Sequence, residues 1–190
     1  MIRLAIVGDI GSGKSYVAKQ FGYPVFNADA EVAKLYRKNR KCYSKLKKIL
    51  PNYITSFPVK KNELLKAITA NQQNLKKIAK IVHPEVRNRM NNFIKKNRNK
   101  KFVILDIPLF IENKLNKKND ILIFVDAKKK EINKRLKKRH NSRSVEILKK
   151  FQLAVELKKK KADFIIENNF RSNSIKKNVK KVLEKILLNA

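Results

Sequence analysis

The stretch GDIGSGKS, Gly8 to Ser15, holds three of the chain's four glycines. Glycine loses more backbone freedom on ordering than any other residue, so such clustering needs a local reason. Its spacing is G-x-x-x-x-G-K-[ST], with Gly8, Gly13, Lys14 and Ser15 at the fixed positions. A loop of this kind wraps phosphate oxygens with successive backbone N–H groups, and glycine permits the turns and the close approach. Lys14 reaches the β- and γ-phosphates of a nucleoside triphosphate, and Ser15 supplies a hydroxyl to Mg²⁺. Gly11, Ser12 and Tyr16 lie within or directly after the loop and complete the expected nucleotide-binding set.

Other residues could use the phosphate. Asp29 closes the stretch NAD, where a carboxylate could accept a hydroxyl proton or serve as a helix N-cap; pattern alone leaves both open. Asp106 follows four apolar residues in FVILD, the position of a metal-binding carboxylate, or of a strand-end Asp that satisfies loop N–H groups. Arg135 and Arg139 sit one helical turn apart and either face transferring phosphates or belong to a solvated face. His83 precedes a proline and has no metal-ligand pattern around it. Cys42 is the single cysteine, which excludes an internal disulfide.

These residues need elements to position them. Residues 2–7, IRLAIV, read as a buried strand and residues 15–22 as a helix ended by Gly22. PVFNAD (24–29), KFVILDIP (101–108), ILIFVDA (121–127) and ADFIIEN (162–168) read as four more strands. The intervening segments carry helical spacing: one helix from Ala30 to Pro51, a largely helical stretch from 60 to a boundary at His83-Pro84, another beyond it, a basic helix after Ala127, and one more from Ser144 to Lys161. The last helix places Ile175, Val179, Val182 and Ile186 on one face. Strands alternating with helices predict an α/β fold, a P-loop three-layer architecture on a five-stranded parallel sheet. About 70 mostly helical residues separate the second and third strands, too many for one crossover helix, and suggest an insertion at the ligand-binding edge.

At 190 residues and 43% hydrophobic composition the chain is expected to be one domain with a real core. No apolar run approaches the roughly 18–20 residues of a membrane span, and the start does not resemble a signal peptide, so a cytoplasmic location is expected. Forty-eight Lys and Arg against fifteen Asp and Glu give a formal charge of +33. That charge would suit a polyanion such as nucleic acid. Yet the lysines run along the whole chain, beside abundant Asn and Ile, as a biased, solvated surface would. Trp is absent, and no aromatic–basic stacking stretch appears.

Taken together and in order, the motifs resemble the dephospho-CoA kinase family. GDIGSGKS is similar to its loop, PVFNADAEVAKLY to its "D-A-D" stretch, and KKIAKIVHPEV to its segment ending in His-Pro. VILDIPLFIEN is similar to its "P-L-L-x-E" run through Pro108, Leu109 and Glu112. Gln152, Lys158, Ala162, Asp163 and Asn168 follow its "Q…K…A-D…N" pattern. The resemblance spans nearly all 190 residues. It implies a core (about 1–29, 101–128 and 161–190), a helical CoA-binding insertion (about 30–100) and a small lid (about 129–160). It implies transfer of the ATP γ-phosphoryl group to the 3′-hydroxyl of dephospho-CoA, with Mg²⁺, by a monomer or small homo-oligomer.

The resemblance also implies roles. Asp29 would be the general base. Lys14 and Arg139 would stabilise the transferring group, with Arg139 on the lid. His83, Pro84, Pro108 and Leu109 would line the acceptor site, and Asn168 would lie near the adenine. Asn27 stands where the family has the first Asp of its pair, Tyr16 where Thr is usual, Lys61 where Arg is common, and Ala33 where a basic residue is common. The lid between Arg139 and Gln152 is short. The alternatives are a P-loop kinase of another small molecule, such as a nucleoside or nucleoside monophosphate, and a nucleic-acid-binding ATPase.

Overall fold

The segment IRLAIVG (β1, Ile2–Gly8) lies at the centre of a five-stranded parallel sheet. The computed structural model describes residues 1–137, 149 and 151–188. The chain forms two compact units: Met1–Asn27 with Asn97–Ala190, and Ala28–Lys96.

In the first unit the strands are β1, β2 (Val25–Asn27), β3 (Phe102–Asp106), β4 (Asp120–Asp126) and β5 (Phe164–Glu167), in the order β2-β3-β1-β4-β5. Every residue of β3 is buried, as expected for a strand with a neighbour on each side and covered faces. Helix α1 (Lys14–Gln20) and the last helix cover one face. Val17 and Ala18 of α1 meet Leu4, Ile6, Ile104 and Ile123 of the sheet and the predicted stripe Ile175, Val179, Val182 and Ile186. Each such burial stabilises by about 1.5–3 kcal/mol, so truncating Ile175 to alanine would cost about 2–5 kcal/mol. Arg3 and Asp120, register partners at the starts of β1 and β4, form a buried ion pair at 2.6 Å.

The second unit is helical: α2 (Ala28–Lys38), α3 (Arg40–Ile49), α4 (Lys61–Ala70) and α5 (Gln73–Lys96). Its core gathers Leu35, Cys42, Leu46, Ile54, Leu64, Ala67, Ile78 and Val82. The first unit adds α6 (Lys129–Lys137), α7 (Val155–Lys161) and α8 (Ser172–Leu188).

Several boundaries differ from the sequence expectation. The second strand stops at Asn27, and Ala28 and Asp29 open α2, because Ala28 and Leu35, seven positions apart, bury on one helical face. The single helix expected from Ala30 is two, divided at Asn39, whose side chain accepts from the Cys42 N–H at 2.8 Å and caps α3. Asn71 divides the next stretch, its side chain accepting from the Gln73 N–H at 2.8 Å. By contrast, no boundary occurs at His83-Pro84: α5 runs through it for 24 residues. Proline removes one backbone donor, but Ile78, Val82 and Met90 bury along the same helix and carry it past the defect. The helix expected from Ser144 to Lys161 is interrupted: Lys149 is helical, the chain turns at Phe151 and Gln152, and helix resumes at Val155.

Candidate active site

All five strands are parallel, so their carboxyl ends share one edge. That edge presents Gly8, Asn27, Asp106, Asp126 and Glu167, the last residues of the five strands. Open α/β sheets bind ligands at such an edge, where neighbouring crossovers leave in opposite directions.

The glycine loop leaves β1 here. The Ser12 N–H donates to the Asp9 carbonyl at 3.1 Å and tightens the turn. Gly13 caps α1 with φ +90° and no side-chain bond, and the first turn of α1 holds no acidic residue. The Tyr16 and Val17 N–H groups both donate to the Gly13 carbonyl, at 3.0 and 3.1 Å, and the positive end of the helix behind them favours an anion. Lys14 Nζ donates to the carbonyls of Gly8 at 3.1 Å and Asp9 at 2.8 Å, so the ammonium lies folded along the loop. Ser15 is exposed in that first turn. Tyr16 is also exposed and donates its hydroxyl to Ser172 Oγ at 2.9 Å.

Asn168, just past β5, braces the loop. Its side-chain amide donates to the Ser12 carbonyl at 2.7 Å, and its backbone N–H donates to the Asp126 carbonyl at 2.7 Å. Its side-chain oxygen accepts from the Phe170 N–H at 2.8 Å. Arg135 lies 4.5 Å above the Phe170 ring, which occupies it with an aromatic face. A cavity of about 590 Å³ opens beside Asn168, with Asp126, Lys128, Glu131, Glu167 and Arg171 among its walls. That is the size of a small-ligand site. Lys159 closes on Asp126 at 2.8 Å, and this hydrogen bond holds its ammonium pKa above the ordinary lysine value.

Asp106 is 2% exposed. It pairs across the strands with Asn27, whose amide donates to its carboxylate. The departure at Asn27 therefore puts a donor where a second carboxylate would repel Asp106. Beyond β3 the chain turns sharply. Leu109 takes φ +56°, and its carbonyl accepts from the Asn113 N–H at 2.9 Å. This turn brings Leu109, Phe110 and Glu112 into a small pocket with Gly8, Lys14, Gln152 and Lys158. Pro108 precedes it, half-buried.

Asp29, His83 and Pro84 belong to the second unit. Asp29 is exposed in the first turn of α2, one residue inside the helix start, so it is not the N-cap. Nearby, Glu31 bonds Lys34 at 2.6 Å and Arg89 at 2.9 Å, tying α2 to α5. Burial pushes the Glu31 carboxyl up, but these two cations bring it below the ordinary value. His83 and Pro84 sit mid-way along α5. Partial desolvation, and then the Arg87 charge, hold the His83 imidazole below its ordinary pKa. Arg139 lies outside the described residues.

Sequence reading did not single out Asp9, Asp126 or Glu112 as site residues. It noted Lys158 only as a motif match, because nothing in the run VELKKKK distinguishes one lysine from the next. Among the described residues no cluster of three or more His, Cys, Asp or Glu forms a metal cage, and no helix is long and apolar enough to cross a membrane.

Comparison with known proteins adds to this geometry. The family model described as dephospho-CoA kinase matches residues 2–174. A dephospho-CoA kinase of Wolbachia pipientis wMel is 30% identical over 192 aligned positions, covering 98% of each chain. The crystal structure of TT1252 from Thermus thermophilus superposes with a TM-score of 0.75 at 28% identity, covering 99% of this chain and 97% of the other. The dephospho-CoA kinase of Campylobacter jejuni shares the fold, with a TM-score of 0.65 at 22% identity over 97% and 96% of the two chains.

Proposed function

The chain belongs to the dephospho-CoA kinase family, and on that premise we propose how its residues divide the work of moving the γ-phosphoryl group of ATP to the 3′-hydroxyl of dephospho-CoA. The observation that carries this reading is the family match across residues 2–174, with the phosphate loop at the carboxyl edge of a parallel sheet. A match over so much of the chain favours dephospho-CoA over another small-molecule acceptor. A cytoplasmic location, where ATP is supplied, goes with the reading.

The first-turn N–H groups of α1 and the loop amides hold the β- and γ-phosphates. Lys14 leaves the Gly8 and Asp9 carbonyls for the phosphate oxygens, a move between neighbouring acceptors. Asn168 keeps the loop in shape, and the cavity beside it receives the nucleoside. Ser15 and Asp106 offer the hard oxygen donors that suit Mg²⁺, which takes one or two protein oxygens together with substrate phosphates. Bound there, the ion would neutralise charge on the β- and γ-oxygens.

Asp29 accepts the proton of the ribose 3′-hydroxyl. The 3′-oxygen then bonds to the γ-phosphorus as the bond from that phosphorus to the β-bridging oxygen breaks, releasing ADP. The family pattern assigns the acceptor to His83, Pro84, Pro108 and Leu109, and support of the transferring charge to Arg139. The test is ADP release from Mg·ATP with and without dephospho-CoA. Release that requires dephospho-CoA and yields CoA is expected; release indifferent to it would overturn the acceptor.

A further inference from the structure

We propose that Lys158 is a further catalytic cation, its Nζ donating to an oxygen of the transferring γ-phosphoryl group alongside Lys14. This rests on the reading of the loop as an ATP site. Helix α7 ends in four consecutive lysines, and Lys158 is the one that turns inward, its side chain 2% exposed. Burying an ammonium is costly unless anions surround it. Two carboxylates do approach it, but neither closes: Asp9 Oδ1 stands at 3.4 Å and Glu112 Oε1 at 4.0 Å. Charge-assisted bonds normally close to about 2.7–2.9 Å. The more exposed pairs here close that far or further, Lys159 with Asp126 at 2.8 Å and Lys34 with Glu31 at 2.6 Å.

Glu112 is held away by its own duty, since the same oxygen accepts the Leu153 N–H at 3.0 Å. Asp9 is a residue of the phosphate loop. Among the described residues the lysine is thus suspended between two anions, with one long hydrogen bond for its three N–H donors. It shares its pocket with Gly8 and Lys14, and the pocket's free volume of about 10 Å³ admits one oxygen-sized group. Gly11, Gly13 and Ser15, the cradle nearest the helix start, are absent from the walls. The wall is instead Gly8, which opens the loop, with the Lys14 and Lys158 side chains, and an oxygen entering between these two lysines is assigned to the γ-phosphoryl group. Asp9 and Glu112 balance the two ammonium groups before that anion arrives.

The deciding measurement is nucleotide affinity without acceptor, by calorimetric titration of ADP and of the β,γ-imido analogue of ATP. Lys158→Met should weaken the analogue about tenfold or more while leaving ADP within about threefold, because only the analogue carries the third phosphate. Lys158→Arg should recover part of the loss. In turnover with dephospho-CoA, kcat should fall with the analogue's affinity. Because the bare variant leaves two carboxylates facing each other, Lys158→Met/Glu112→Gln is titrated in parallel and decides if the single variant does not fold. Equal weakening of both nucleotides, or of neither, would overturn the proposal. A wild-type protein that binds both nucleotides but does not phosphorylate dephospho-CoA would sink the acceptor assignment and leave this comparison standing.

Discussion

Asn168 reaches from the end of β5 into the phosphate loop, where its side-chain amide donates to the Ser12 carbonyl at 2.7 Å. Gly13 makes the approach possible: a Cβ added there would collide with that amide nitrogen. The glycine of the motif thus serves two purposes, a left-handed turn at φ +90° and space for a brace from the far edge of the sheet.

Replacing Asn168 with alanine should weaken ADP and ATP alike, because the brace acts on the loop and not on one phosphate. A buried carbonyl left without a partner costs about 1–3 kcal/mol, so the loss should be roughly tenfold in affinity with a measurable fall in Tm. Asn168→Asp should be worse, since it sets a carboxylate against the Ser12 carbonyl. Titration and thermal melts check both; unchanged affinities would show that the loop holds its shape unaided.

Two left-handed glycines should respond differently to alanine. Gly22 has φ +71° with open space around its missing Cβ, so Gly22→Ala should cost only the backbone penalty of about 1–2 kcal/mol, with activity intact at low temperature. Gly13→Ala carries the same kind of penalty and the collision with Asn168, and should abolish nucleotide binding. Parallel melts and titrations separate the two, and equal effects would refute the brace as the reason for Gly13.

The loop was readable because its chemistry depends on local spacing: Gly8, Gly13, Lys14 and Ser15 are near neighbours in the chain. The last helix was readable because Ile175, Val179, Val182 and Ile186 repeat with the helical period. Asn168 was assigned to the nucleotide through the family pattern, but its bond to Ser12 joins residues 156 positions apart and leaves no local trace. Asn27 departs from the family pattern, and its partner Asp106 lies 79 positions away on the neighbouring strand, so nothing local shows the pairing. At Pro84 a local rule was overridden, because the buried positions of α5 on either side outweigh one missing donor.

His83 should titrate below the ordinary imidazole value, with desolvation as the larger cause and Arg87 as the second. A depressed folded pKa means that the folded state binds fewer protons. The stability this contributes is complete above the unfolded value of about 6.5 and is lost as pH falls through the folded value. The chain has two histidines, so His83→Gln assigns the NMR resonance by its disappearance. Arg87→Gln should raise the midpoint only part of the way, because burial remains. A midpoint at or above the ordinary value would contradict the environment described for α5.

Asp29→Asn tests the proton transfer. A positioned general base is worth about 10²–10⁴ in rate, so kcat should fall by that order while nucleotide affinity, measured without acceptor, stays unchanged. Asp29 lies in the first turn of α2, where a carboxylate favours the helix dipole by only about 0.3–1 kcal/mol. A thermal melt of the variant run beside the kinetics supplies the control: a large loss of kcat with the melting temperature kept is the loss of the base and not of the fold. Glu31, also in the first turn, is committed to Lys34 and Arg89 and does not stand in for it. Asp29→Glu, which keeps a base on a longer arm, should retain more activity than the amide. An amide variant with kcat within a few-fold of wild type would leave Asp29 as a helix-start carboxylate and move the search for the base elsewhere.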